Sequence, residues 1–98
     1  MCKLNDLLIE SELLLVEGNS NIEIEGLAFD SRKVQAGYAF FALRGTHADG
    51  HQFIAKATEL GAAAIVCEEL PEQRIENVVY LQVRNTAKAL GMMASIFY

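Results

Sequence analysis

Residues Tyr38 to Cys67 constrain the fold more than any other stretch of this chain. A nearly continuous apolar run, Tyr38–Leu43, leads into a glycine-bounded loop, Gly45-Thr46-His47-Ala48-Asp49-Gly50. Phe53, Ile54, Ala57 and Leu60 then fall at helical spacing, and Gly61 offers a C-terminal stop. The next run, Ala62–Cys67, is wholly apolar, as expected of a strand covered on both faces of a parallel sheet. The stretch therefore predicts a strand–helix–strand unit with a right-handed crossover, and with it an α/β domain.

The flanking segments extend that prediction. Lys3–Glu10 has Leu4, Leu7 and Leu8 on one helical face, and the Glu17–Asn21 composition is that of a turn. Ile22 and Ile24 alternate with polar neighbours, which predicts a half-buried strand. The apolar phase changes at Gly26, predicting a bulge or break before Leu27-Ala28-Phe29, and Gln35-Ala36-Gly37 predicts another turn. Residues 68–77 form an acidic connection containing Pro71, with Glu68, Glu69, Glu72 and Glu76 expected as a solvated edge. Val78–Val83 reads as a buried strand. Asn85 or Thr86 can cap a final helix with Ala87, Leu90, Ala94 and Phe97 on one stripe. Met92, Met93, Phe97 and Tyr98 are expected partly in the core and partly facing a missing neighbour, since the adjacent methionines cannot share a direction on the helix. The helical pattern is cut at Tyr98, which suggests a domain excised from a longer chain.

With 98 residues, 52% of them hydrophobic, the chain is expected to be one domain spanning 1–98. A formal charge of −5 argues against nucleic acid or an acidic membrane as partner, since both need a basic face. It leaves room for a nucleotide held by a few local donors. Cys2 and Cys67 form no C-x-x-C pair, which points to a reducing, cytoplasmic setting. No signal-peptide pattern or membrane span is evident.

Two polar turns carry the candidate chemistry. Gly45–Gly50 has the G-x-x-x-x-G spacing of a phosphate-binding loop between a strand and a helix. His51 and Gln52 then stand where such a loop needs Lys and Ser or Thr, so ATP–magnesium chemistry is not expected there. The loop can still bind a polar or anionic group through backbone N–H, or serve as a plain turn in which Asp49 caps the helix. Asp30-Ser31-Arg32, at another strand end, reads on its own first as an ordinary Asx-type turn, with ligand contacts as the alternative. Arg44 is a second candidate cation near the loop. His47, Asp49 and His51 suggest an H-x-D-x-H metal cluster, but zinc needs a fuller ligand set and no metal is expected. Cys67 sits in an apolar strand, where a thiol is inert, and no Ser–His–Asp arrangement stands out.

The wording of these residues resembles the N-terminal domain of the Mur ligases of peptidoglycan synthesis. The resemblance rests on Asp30-Ser31-Arg32, on Gly37, Phe40 and Ala42, on Arg44-Gly45, on Asp49-Gly50-His51 with Phe53-Ile54, and on Gly61-Ala62, Ala64 and Val66. It runs from about Ile24 to Tyr98 and is greatest to the MurE type, which adds the third amino acid to UDP-N-acetylmuramoyl-L-alanyl-D-glutamate. The MurF type, which adds D-alanyl-D-alanine, is the alternative; it more often has Thr where this chain has Phe29. Tyr38 departs from the acidic residue common in the family after Gly37.

What the resemblance implies is a small, three-layer-like domain with a mixed, partly parallel sheet flanked by helices. Carried over position by position, it points to Phe29, Ser31, Thr46, His47 and Ala48 as contacts to the UDP-sugar. Asp30, Arg32, Gly45, Asp49 and Gly50 would support them, with Asp30 and Arg32 paired to each other or to Asp49. The partners implied are UDP-N-acetylmuramoyl-dipeptide and the protein's own central and C-terminal domains. Those domains would hold the ATP and Mg2+ that convert the D-glutamate carboxylate to an acyl-phosphate for attack by an amine. This piece would orient the nucleotide without catalytic residues or a cofactor of its own. A reading of another class is a free-standing nucleotide-binding or protein-interaction module.

Overall fold

The structure is a computed structural model and describes residues 2–8, 13–44 and 49–98. Its elements in chain order are β1 (Cys2–Lys3), α1 (Leu4–Leu7), β2 (Leu13–Glu17), β3 (Glu23–Ile24), β4 (Gly26–Ala28), β5 (Tyr38–Phe41), α2 (Ile54–Glu59), β6 (Ala64–Cys67), β7 (Val79–Val83) and α3 (Thr86–Phe97). Short 3-10 turns occupy Ser31–Lys33 and Gly50–Phe53.

A five-stranded sheet runs in the order β2-β7-β6-β5-β4, and a small antiparallel pair joins β1 to β3. β4, β5, β6 and β7 are mutually parallel, and β2 closes one edge antiparallel to β7. The sheet is therefore mixed and mostly parallel. Its apolar runs are continuous because both faces are covered. Ala39, Phe41, Ala64, Val66, Val79, Leu81 and Val83 meet Leu4 and Leu7 of α1 and Ala89 and Met93 of α3. The alternate residues Phe40, Ala42, Ile65, Cys67 and Tyr80 meet Val34, Ile54 and Ala57 on the opposite side. Side chains alternate between sheet faces, so one run of four apolar residues builds two cores.

The expected strand–helix–strand unit is present, with β5 and β6 adjacent and parallel. Gly61 ends its helical segment at φ +100°, a left-handed conformation that suits glycine. The predicted break at Gly26 separates β3 from β4, so the chain leaves the small pair and enters the large sheet within three residues, Ile24–Gly26.

Three local readings change. Regular helix at the start covers only Leu4–Leu7, and Leu8 is already extended; Ile9 and Glu10 lie outside the described residues. Residues 13–16, to which no element was assigned, and Glu17, read as the start of a turn, form the edge strand β2 with an irregularity between Leu13 and Leu15. Its apolar run, residues 13–16, is covered only in part, with Leu14 and Leu15 exposed, as befits an edge strand. In α3 the buried residues are Thr86, Ala89 and Met93, while Ala87 is exposed. The helix has apolar residues nearly all round, so packing rather than composition selects its inner face. Met93 enters the core and Met92 is half-buried.

Candidate functional site

The four parallel strands all end on the same edge of the sheet, where an open α/β domain leaves a crevice for ligands. The turn after β4, the segment after β5 and the start of the α2 segment enclose a cavity of about 530 Å³. It is lined by Phe29, Asp30, Ser31, Arg32, Leu43, Gly50 and Phe53. The two glycine- and serine-bearing regions singled out in the sequence therefore converge. Gly45, Thr46, His47 and Ala48 lie outside the described residues, but Leu43 and Gly50 on either side of them face the same cavity as Ser31.

Asp30 shapes the first turn. Its Oδ1 accepts from the Arg32 backbone N–H and from Arg32 Nε, both at 3.0 Å, and its Oδ2 accepts from Nη2 at 2.8 Å. The Arg32 guanidinium and backbone N–H hold this carboxyl at a pKa of about 2. The pair is exposed, so it orders the turn more than it stabilises the fold. Asp30 and Arg32 thus pair with each other, within one turn. Nη1 of Arg32 makes no bond to the described residues, and its side chain is 87% exposed. Ser31 is buried and Phe29 is 61% exposed, so the turn presents an aromatic face beside a sheltered hydroxyl.

The second wall rests on a close backbone approach. Gly50 N–H donates to the Leu43 carbonyl at 2.6 Å, and an isolated bridge joins Arg44 to Asp49. A Cβ at Gly50 would stand 2.6 Å from Leu43 N, so only glycine lets the segment start there.

Arg44, considered as a free cation for a ligand, is committed elsewhere. Its Nη1 donates to Asp49 Oδ2, Nε to Glu68 Oε1 and Nη2 to Glu69 Oε1, at 2.8 to 3.0 Å. Glu68 is correspondingly not part of a solvated acidic edge. Its Oε2 accepts from Thr86 N–H at the start of α3, and its backbone carbonyl accepts from Gln82 Nε2. The Thr86 N–H and the Arg44 guanidinium hold its carboxyl below the usual carboxylate range. Sequence reasoning missed this hub because its partners are 18 and 24 residues away.

His51 was also missed as more than a motif letter. Its Nδ1 lies 2.6 Å from Asp49 Oδ1, and its Nε2 accepts the backbone N–H of Glu68 and Glu69 at 3.0 and 3.2 Å. Asp49 also accepts from the His51 backbone N–H, and these bonds hold its carboxyl below the ordinary value. The only sequence signal was an Asp capping a helix start with His two residues on. Both ring nitrogens are occupied, so His51 offers no lone pair to a metal. Among the described residues no group of three His, Cys, Asp or Glu could hold one. The position a phosphate-binding loop gives to lysine holds this engaged imidazole. Cys67 is enclosed, its thiol pushed up to about 12 by burial, so it is no nucleophile at neutral pH.

The site therefore combines an aromatic surface, a sheltered hydroxyl, one partly free guanidinium and a backbone wall. That set, among the described residues, can hold a flat heterocycle with attached oxyanions. Among the described residues no helix is long and apolar enough to cross a membrane.

Comparison with known proteins gives a consistent result. A family model described as Mur ligase family, catalytic domain, matches residues 23–98. The chain is 45% identical over 95 residues to a UDP-N-acetylmuramoyl-L-alanyl-D-glutamate–2,6-diaminopimelate ligase of Bacteroides thetaiotaomicron, covering 97% of this chain. It spans only about a fifth (20%) of that relative's length. Among solved structures it is similar to MurF from Acinetobacter baumannii, with a TM-score of 0.63 and 32% identity over 70% of this chain and 15% of that one. It is also similar to the MurF ligase from Thermotoga maritima in complex with ADP, at a TM-score of 0.61 and 29% identity over 69% and 15% of the two chains.

Proposed function

Because this chain belongs to the Mur ligase family, we propose that it is the N-terminal, UDP-sugar-binding domain of a MurE-type ligase. The full protein would add diaminopimelate or lysine to UDP-N-acetylmuramoyl-L-alanyl-D-glutamate in the cytoplasm, during peptidoglycan synthesis. The observation that carries this reading is the 45% identity, along nearly the whole chain, to a protein named for that activity. The convergence of the 29–32 turn with Leu43 and Gly50 on one cavity supports it physically.

In this reading the uracil lies against Phe29 and the Ser31 hydroxyl bonds to the base or pyrophosphate. Thr46, His47 and Ala48 complete the contacts, with His47 donating to a phosphate oxygen. Asp30, Arg32, Gly45, Asp49 and Gly50 shape the two turns. The domain contributes affinity and positioning rather than bond-making. ATP and Mg2+ act in the remaining four-fifths of the protein, since the residues here do not suit them; the solved relative in complex with ADP supports nucleotide use by the family.

Titration of the chain with UDP, followed by amide chemical shifts, tests the site. Perturbations should centre on Phe29–Arg32 and on Leu43–Gly50. Shifts confined to the 68–77 connection would refute it.

A MurF-type assignment is the second reading, favoured by the solved relatives of that name at 29–32% identity. The higher identity to the diaminopimelate ligase ranks it lower. The full-length enzyme decides: incorporation of a diamino acid supports the first reading, and of D-alanyl-D-alanine the second. A gene in which the reading frame stops at codon 98 would instead indicate the free-standing module.

A further inference from the structure

We propose that His51 is the positioning residue of this cavity, tying the Asp49–Gly50 wall to the turn after β6. The proposal rests on the nucleotide-binding reading above and adds to it a residue that touches no ligand.

Hydrogen-bond logic fixes the state of the ring. The N–H groups of Glu68 and Glu69 can only donate, so Nε2, which faces both, must be the unprotonated nitrogen. The ring proton then sits on Nδ1, directed at the Asp49 carboxylate. His51 is thus a neutral strut in a single tautomer, with its side chain only 13% exposed. One end holds Asp49, next to the Gly50 whose N–H packs on Leu43; the other holds the 68–69 turn.

Arg44 spans the same two segments on a more open path, reaching Asp49, Glu68 and Glu69 with a side chain 44% exposed. Salt and solvent weaken ion pairs of that kind. The shielded imidazole, carrying no net charge, is the link that persists at high ionic strength. With it in place, Leu43 and Gly50 are set before a ligand arrives, and binding is spared the cost of ordering that wall.

The test uses the 98-residue chain with UDP as the probe. Long-range proton–nitrogen NMR at neutral pH should show the ring proton on Nδ1. His51→Gln keeps an acceptor oxygen for the Glu68 and Glu69 N–H groups, whereas His51→Ala keeps neither end of the strut. His51→Ala should bind UDP roughly tenfold more weakly, and His51→Gln should return to within about threefold of the parent, as preorganisation is lost and restored. The Leu43 and Gly50 amide shifts should move in the first variant and recover in the second. A ring protonated on Nε2, or an alanine variant that binds UDP like the parent, overturns the proposal. Should His51→Ala fail to fold, a tenfold loss in His51→Gln counts against it as well. If the parent itself binds no UDP, the nucleotide reading fails, and the tautomer with the two amide shifts decides the role of His51 alone.

Discussion

Replacing Gly50 with alanine is the sharpest available test of how the cavity wall is built. The added Cβ would stand 2.6 Å from Leu43 N, 2.7 Å from Leu43 O and 3.0 Å from Ala42 C. All three are backbone atoms at the end of a buried strand and cannot rotate aside. Relieving such an overlap costs about 1–3 kcal/mol. The Gly50–Leu43 hydrogen bond must also lengthen, losing up to about 0.5–1.5 kcal/mol. Against this, alanine restricts the unfolded chain and returns about 0.4–1 kcal/mol. The net expectation is a loss of roughly 0.5–4 kcal/mol. A loss of about 2 kcal/mol lowers the Tm of a domain this size by roughly 8–16 °C. Urea unfolding should show a lower midpoint with an unchanged slope. Gly91→Ala is the internal control: that glycine lies inside α3 with nothing within 4 Å of an added Cβ. It should gain about 0.5–1 kcal/mol from helix propensity. If Gly50→Ala is as stable as the parent while Gly91→Ala behaves as expected, the close approach is not what holds this wall.

Other consequences are open to measurement. Ser31→Ala should weaken UDP binding about two- to tenfold, the worth of one hydrogen bond, with an unchanged melting curve. Asp30 should titrate at about 2, and Arg32→Ala should bring it back toward 3.8; since folding lowers this pKa, the pairing contributes fully above about pH 4 and is lost as pH falls through about 2, which a carbon NMR titration would show. In a Cys2→Ser background, Cys67 should resist maleimide at pH 8 until the chain is denatured, because its thiol is enclosed and titrates at about 12; rapid labelling of the native chain would contradict that burial.

Local chemistry was legible in advance wherever it depended on neighbours in sequence. Asp49 caps the turn that leads into α2, Asn85 Oδ1 accepts from Lys88 N–H at the start of α3, and Gly61 stops its segment with a positive φ, each by contacts within a few residues. The buried strands Ala64–Cys67 and Val79–Val83 declared themselves as apolar runs because both of their faces are covered. The edge strand Leu13–Glu17 also carries an apolar run, residues 13–16, but it is covered only in part, with Leu14 and Leu15 exposed, and it was passed over; of the stripe read on α3, Leu90 and Phe97 pack against the core while Ala87 is exposed.

The amino-acid order alone thus determined the class of fold, the parallel unit from Tyr38 to Cys67, the two turns that bear polar groups, and a family resemblance that the comparisons show. Only the folded chain decided which long-range partners those groups take. Arg44 turned from a prospective ligand cation into a tie among three carboxylates, Glu68 from a solvated charge into the acceptor at the head of α3, and His51 from a motif letter into a strut. The reason is physical: backbone propensity acts over a few residues, whereas a guanidinium or imidazole bonds to whatever the sheet brings beside it, and adjacency across strands is set by the whole fold.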